Sequence, residues 1–171
     1  MRPIDFVKWL YPHAKKVDID TIFVIAQAAL ESGWGKSAIG NNIFGITKGS
    51  TWNGRTKLIT TTEYFSNPDI KFNEPEKILN ILEINSKRYK YTVKRLFRDY
   101  LSVQECLKDH SLILQKPQFK DAWIYRHDRY EFVKRIVDNV GGKYATDPNY
   151  VKTMNSLFES VNRIIVKEKL V

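Results

Sequence analysis

Hydrophobic residues in the first third of the chain recur at the spacing of a buried helix. Residues 19–31 are almost wholly apolar, with Asp18 or Asp20 placed to cap the N-terminus. Gly33 follows the last apolar position, where a glycine commonly ends a helix. The pattern therefore predicts a core helix of roughly three turns whose last turn carries one carboxylate, Glu31.

Apolar, aromatic and β-branched residues later alternate at strand spacing in three places. These are residues 57–65, 78–84 and 89–93, and a turn separates the last two. Side chains alternate between the two faces of a strand, so Glu63 and Tyr64 should point in opposite directions. We expect a small antiparallel sheet or hairpin that carries Glu63.

Helical periodicity marks the rest of the chain. An amphipathic pattern covers residues 4–16, and further helices are predicted to begin at Ser102, at Asp128 and at Asp147 followed by Pro148. The predicted fold class is α+β, mainly α. With 171 residues and 43% hydrophobic content the chain can bury one sizeable core, so we expect a single domain over residues 1–171.

Net charge and cysteine content limit the kinds of partner and ligand that the chain can have. The formal net charge of +9 favours an anionic partner, such as nucleic acid or a bacterial cell wall, but the basic residues are dispersed as on solvated faces. We therefore expect no nucleic-acid partner. The single cysteine excludes an internal disulfide, and no zinc spacing of His and Cys is present, so we expect no metal and no cofactor. Cys106 and His110, one helical turn apart, are interpreted as packing residues rather than a nucleophilic pair.

Glu31 is the strongest candidate for chemistry. A carboxyl group in apolar surroundings, near the negative end of a helix dipole, should hold its proton longer than a free glutamate. That is the requirement for a general acid. The alternative for an isolated glutamate is a solvated position at the end of a helix.

The residues around Glu31 form a longer motif. A Gly-Trp-Gly turn occupies positions 33–35, and Asn-Asn-Ile-Phe-Gly-Ile occupies positions 41–46. Further blocks follow at positions 62–64, 97–100, 102–110 and 144–150. In this order the blocks resemble glycoside hydrolase family 73, the bacterial and phage peptidoglycan glucosaminidases related to the flagellar muramidase domain. The resemblance spans nearly the whole chain.

This resemblance implies a lysozyme-like helical domain that hydrolyses the β-1,4 bond after N-acetylglucosamine in peptidoglycan. Glu31 would protonate the leaving oxygen, and Glu63 would activate water or stabilise the oxocarbenium ion. Tyr144 matches the family's tyrosine near the substrate acetamido group, which can itself take part in the chemistry. The substrate-binding candidates are Trp34, Asn42, Phe44, Trp52, Tyr64 and Trp123. Residues 66–96 depart from the family pattern, because they are longer and more basic than its compact hairpin.

Three alternatives stay open at this point. The same scaffold serves muramidases and lytic transglycosylases, which cut the other glycosidic bond. A catalytically silent wall-binding or virion assembly domain would keep the fold, although the presence of both acids argues against it. A basic nucleic-acid binder is the third.

The N-terminal sequence and the lengths of the apolar runs bear on how such an enzyme would reach the wall. The N-terminus has no long apolar core, and no apolar run reaches the roughly 18 residues of a membrane span, so we expect neither a signal peptide nor a span. A wall hydrolase of this kind would be a phage lysin released by a holin, a virion-borne enzyme, or a protein whose leader was removed. We expect a monomer.

Overall fold

The computed structural model describes residues 1–139 and 148–171. Tyr144 and Asp147 lie outside these residues. The chain forms two compact units, one made of residues 1–44 and 101–171 and the other of residues 45–100. The expectation of one domain over the whole chain stays a prediction.

The first unit is helical. Its helices are α1 (Pro3–Ala14), α2 (Thr21–Ser32), α3 (Val103–Ile113), α4 (Lys120–Trp123), α5 (Arg129–Asn139) and α6 (Tyr150–Lys167), with one 3-10 turn at Pro117–Phe119. Helix α2 packs against α1 and α6. The ring centroid of Phe23 lies 4.7 Å from that of Phe132 and 6.1 Å from that of Phe158, so aromatic side chains of α2, α5 and α6 meet in the core. Apolar burial of this kind is the main force that holds the unit together.

The second unit contains an antiparallel sheet of β1 (Thr56–Phe65), β2 (Lys77–Asn85) and β3 (Arg88–Arg98) in the order β1-β3-β2. The predicted hairpin is β2 with β3. The predicted strand over residues 89–93 is too short, because pairing with β1 continues to the end of β3, where Arg98 lies opposite Thr56. Side-chain burial supports the longer strand, since Tyr91, Val93 and Phe97 on one face are all buried.

The segment between β1 and β2 is attached to the sheet by polar contacts. Tyr91 donates its hydroxyl hydrogen to the Asn67 carbonyl at 2.7 Å, and the Glu76 carboxylate accepts from the Leu96 amide at 3.0 Å. The extra length that the sequence shows between Glu63 and the end of β3 is therefore used partly for a segment, residues 66–76, that packs on β3.

The predicted start of the last helix is wrong. Helix α6 begins at Tyr150, with Asn149 at the N-cap position and Pro148 in a turn before it. The buried stripe of α6 begins with Tyr150 and continues through Met154 and Phe158, so burial rather than the Asp-Pro signal sets the first helical residue.

The fold is α+β and mainly helical, as the sequence predicts. None of the helices within residues 1–139 and 148–171 is both long enough and apolar enough to span a lipid bilayer.

Candidate active site

Helix α2, which carries Glu31, is fixed at its N-terminus by Asp20. The Asp20 carboxylate accepts from the Phe23 amide at 2.9 Å, as an N-cap does, and also pairs with the Arg129 guanidinium at 2.8 Å. Nine of the twelve residues of α2 are buried, whereas Glu31 is half-buried. The sequence pattern thus places a single carboxylate at the exposed end of a helix that is otherwise enclosed.

The turn after Glu31 is built from three consecutive left-handed residues. Gly33, Trp34 and Gly35 have φ values of 56°, 59° and 80°. The amides of Gly33 and Trp34 both donate to the Ala29 carbonyl, which closes the last turn of α2. A non-glycine residue rarely adopts this conformation, and such positions cluster at functional sites.

Two further contacts hold this turn in place. Ser32 Oγ donates to the Ala28 carbonyl at 2.6 Å and accepts from the Gly35 amide at 2.8 Å. A Cβ at Gly35 would lie 3.1 Å from the ring of Phe6, so the ring would have to shift, and the φ of 80° would strain any side chain there. The Gly-Trp-Gly motif therefore fixes the direction in which the chain leaves the helix that carries Glu31.

A buried polar network lies one turn before Glu31. The Gln27 amide oxygen lies 2.7 Å from His110 Nε2, and its amide nitrogen donates to the Tyr150 hydroxyl at 3.0 Å. These contacts tie α2 to α3 and α6. Burial lowers the pKa of His110 to about 3, so the imidazole is neutral at ordinary pH.

The Asn42 and Phe44 side chains, both substrate-binding candidates, are buried in the same unit. Asn42 is 1% exposed and Phe44 is 5% exposed. The Phe44 ring stacks on His110 with centroids 3.8 Å apart. Phe44 therefore packs against the network that holds α2, and direct contact of these two residues with substrate stays a prediction.

The two tryptophan candidates of the helical unit are half-buried. Trp34 sits in the turn after Glu31 and packs edge-on against Phe6, at a centroid distance of 6.0 Å. Trp123 packs edge-on against Phe132, with the Arg126 guanidinium 5.1 Å from its ring centre. Trp34 thus lies beside Glu31 along the chain, whereas Trp123 belongs to α4.

Cys106 and His110 are both buried on α3, as the packing interpretation predicts. Burial raises the pKa of the Cys106 thiol to about 12. A thiol with such a pKa does not supply a thiolate nucleophile near neutral pH.

Glu63 lies in the sheet unit, on the half-buried face of β1, and Tyr64 is exposed on the opposite face, as strand alternation predicts. Arg95 of β3 donates to the Glu63 carboxylate at 2.6 Å and to the Glu76 carboxylate at 3.0 Å. The Glu63 and Arg95 side chains are 24% and 19% exposed. The Arg95 guanidinium also lies 4.8 Å from the ring centre of Phe72. Arg95 thus links Glu63 to the segment between β1 and β2.

The two remaining candidates in the sheet unit differ in exposure. Trp52 is half-buried, donates from its indole nitrogen to the Arg55 carbonyl at 2.9 Å and packs edge-on against Tyr100. Tyr64 is 51% exposed, and the Arg88 guanidinium lies 4.5 Å from its ring centre. Tyr64 is therefore accessible to solvent, whereas Trp52 is a packed residue of the loop.

A cavity of about 630 Å³ opens in the helical unit beside the end of α2. One wall is formed by Leu30 and Trp34, which are the neighbours of Glu31 along the chain, and the other wall by the first turns of α6. Its volume lies within the range of small-ligand sites, roughly 300–1,000 Å³.

Comparison with known proteins identifies the family of the chain. Residues 8–163 match the glucosaminidase family model, described as mannosyl-glycoprotein endo-beta-N-acetylglucosaminidase. The chain is 32% identical over 152 residues to the peptidoglycan hydrolase FlgJ of Salmonella typhimurium, covering 84% of this chain and 40% of that protein. It is 30% identical over 160 residues to FlgJ of Pseudomonas aeruginosa, covering 86% of this chain and 34% of the relative. The chain thus spans between a third and two fifths of the length of these curated relatives.

Two solved structures of peptidoglycan-hydrolase and glycoside-hydrolase domains also have a similar fold. The glycoside hydrolase domain of Salmonella typhimurium FlgJ superposes with a TM-score of 0.71 at 25% identity, covering 99% of this chain and 94% of that one. A mutant peptidoglycan hydrolase from Sphingomonas sp. A1 superposes with a TM-score of 0.67 at 26% identity, covering 96% and 99% of the two chains.

The fold and the family match together define a glycoside hydrolase with a lysozyme-like domain. The chain belongs to the glucosaminidase family, which confirms the family that its motifs indicate. The catalytic and substrate-binding roles of the individual residues stay predictions.

The polar partners around the candidate acids were not visible in the sequence. Gln27 stands 83 residues from His110 and 123 from Tyr150 along the chain, so only the fold joins them. Arg95 did carry a signal, since alternation along β3 places it on the same face as Val93. The predicted strand ends at Val93 and so does not include Arg95.

Proposed function

We propose that this enzyme hydrolyses peptidoglycan at the β-1,4 bond after N-acetylglucosamine, with Glu31 as the general acid. One observation carries the proposal: a half-buried carboxylate stands on the last turn of a buried helix, followed by a left-handed Gly-Trp-Gly turn. The similarity to proteins named peptidoglycan hydrolase supports the choice of substrate.

In this proposal the leaving sugar oxygen takes a proton from Glu31 as the glycosidic bond breaks. The Asp20 cap, the Ser32 contacts and the Gln27 network keep the helix end in one conformation, so the acid does not have to be ordered when substrate binds. Pre-organisation of this kind lowers the entropic cost of reaching the transition state.

Glu63 is proposed as the second carboxylate, which activates the attacking water or stabilises the oxocarbenium ion. Its contact with Arg95 at 2.6 Å supports this role, because the guanidinium fixes the position of the carboxylate on the half-buried face of β1. Glu63→Gln should bind wall normally and turn over slowly. Azide should restore turnover to a Glu63→Ala variant; an absence of rescue, with turnover unaffected in both variants, would favour substrate-assisted chemistry and Tyr144.

The direct test of the proposed function is product analysis of purified cell walls. Digested walls are reduced with borohydride and the fragments are measured by mass spectrometry. We expect N-acetylglucosaminitol at the new ends. Reduced muramic acid would instead identify a muramidase, and an anhydro product would identify a lytic transglycosylase. A gel shift with DNA under the same conditions should show no complex at physiological salt.

The site of action follows from the substrate. We propose that the enzyme works at the bacterial cell wall and does so as a monomer, which sedimentation equilibrium can measure.

A further inference from the structure

One wall of the cavity beside α2 is apolar, and the other wall contains both apolar and polar side chains. Leu30 and Trp34 stand four positions apart and form the first wall. On α6, Thr153 and Leu157 are half-buried in the second wall, and Lys152 and Ser156 are exposed at its rim. The helical unit thus offers apolar surface, two hydroxyl groups and one cation around a space of about 630 Å³.

Lys152 gives the cavity its charge. No carboxylate within the described part of the chain forms a salt bridge with its ammonium group, whereas Lys8 in the same unit pairs with Glu168 at 3.3 Å. A cation at the rim of a partly apolar cavity, with no carboxylate partner among the described residues, favours a ligand that combines small apolar groups with a carboxylate.

In the proposed reaction, a substrate group that combines small apolar groups with a carboxylate lies next to the acid. A general acid protonates the oxygen of the leaving sugar, and when the bond after N-acetylglucosamine is cut, that oxygen is O4 of muramic acid. The neighbouring ring carbon carries O3, to which the lactyl group and its peptide are attached. The peptide stem therefore begins next to the atom that receives the proton.

We propose that this cavity binds the beginning of the peptide stem of the leaving muramic acid, an inference that rests on the proposed function. The lactyl and alanyl methyl groups pack against Leu30, Trp34 and Leu157. The Thr153 and Ser156 hydroxyls bond the stem amides, and Lys152 pairs with a stem carboxylate. The enzyme then prefers glycan that carries peptide over bare glycan.

The test compares two soluble substrates made from one preparation: uncross-linked glycan strands with their stems, and the same strands after an amidase has removed the peptides. The measured quantity is the ratio of kcat/KM for the two. Lys152→Met should lower this ratio roughly three- to fivefold, as expected for an exposed ion pair. Ser156→Trp should lower it further, because the indole fills the cavity from an exposed helix position. Lys167→Met, on the same helix but outside the cavity, should keep the wild-type ratio.

The possible outcomes distinguish a failure of this inference from a failure of the proposed function on which it rests. Equal kcat/KM values for the two substrates in the wild type, and an unchanged ratio in both cavity variants, would overturn the stem site. The proposed function would stand in that case, provided that the new reducing ends are N-acetylglucosamine. Reducing ends on muramic acid would overturn both, since the leaving sugar would then carry no stem.

Discussion

Acidification should destabilise the protein through His110. Burial holds the pKa of His110 at about 3, whereas an unfolded histidine titrates near its ordinary value of 6.5. Below pH 6.5 the unfolded chain therefore binds a proton that the folded chain excludes. Stability that is fully present above pH 6.5 is lost as the pH falls toward 3.

The expected magnitude follows from this difference in pKa. Well below pH 6.5 each further pH unit removes about 1.4 kcal/mol, but the unfolded histidine is already half-protonated at pH 6.5. Lowering the pH from 6.5 to 4.5 should therefore remove roughly 2 kcal/mol of unfolding free energy. Asp109 near His110 opposes the effect of burial without cancelling it. A loss of this size is a large share of the stability of a typical small domain, about 5–15 kcal/mol.

The assay is urea unfolding followed by tryptophan fluorescence at several pH values. His110→Gln is the informative variant, because its amide can still donate to Gln27 but does not titrate. Its unfolding free energy should change by roughly 2 kcal/mol less than that of the wild type between pH 6.5 and 4.5. His127→Gln, at an exposed residue that pairs with Asp18, should retain most of the wild-type pH dependence. Equal losses in the wild type and in His110→Gln would refute the reasoning.

Three further predictions concern the scaffold around the acids. Asp20→Ala should lower the unfolding free energy by about 1–3 kcal/mol in urea titrations, since it removes an N-cap and a half-buried ion pair, whereas Asp18→Ala at an exposed pair should cost under about 0.5 kcal/mol. Cys106 should resist iodoacetamide at pH 8 in the folded protein and react after urea is added, as mass spectrometry would show; labelling without urea would contradict its burial. Arg95→Met should lower both wall turnover and the thermal midpoint, because it leaves the Glu63 and Glu76 carboxylates without the guanidinium that bridges them, and Arg163→Met, at an exposed position of α6, should leave turnover unchanged.

Local signals in the sequence predict α2 and its ends. Asp20 is one of the two predicted caps, and Gly33 ends the helix as predicted, in the left-handed conformation. Both are short-range effects, in which a side chain or a missing Cβ decides the conformation of its own few residues. The capping box at the start of α3 is of the same kind, since the Ser102 hydroxyl accepts from the Glu105 amide at 3.1 Å.

Features that depend on distant residues escaped prediction. The end of β3 is set by pairing with β1, more than thirty positions earlier, as in the pairing of Thr56 with Arg98. The start of α6 is set by burial of Tyr150, not by the local Asp-Pro signal. Tertiary packing overrides local propensity in each case.

The candidate site was predictable only in part for the same reason. Sequence alone selects Glu31, because one carboxylate interrupts an apolar helix. It gives no sign that Glu63 shares Arg95 with Glu76, nor that Phe44 stacks on His110. Those contacts join segments that lie far apart along the chain and meet only in the folded protein.

The most direct test of the central claim is the activity of Glu31→Gln on purified cell walls. The amide fills the same space but cannot deliver a proton, and general acid catalysis contributes roughly 10²–10⁴-fold. We predict a loss of kcat within that range at an unchanged urea midpoint, while Glu83→Gln, at an exposed position of β2, keeps wild-type turnover. Near-native lysis by folded Glu31→Gln would contradict the account.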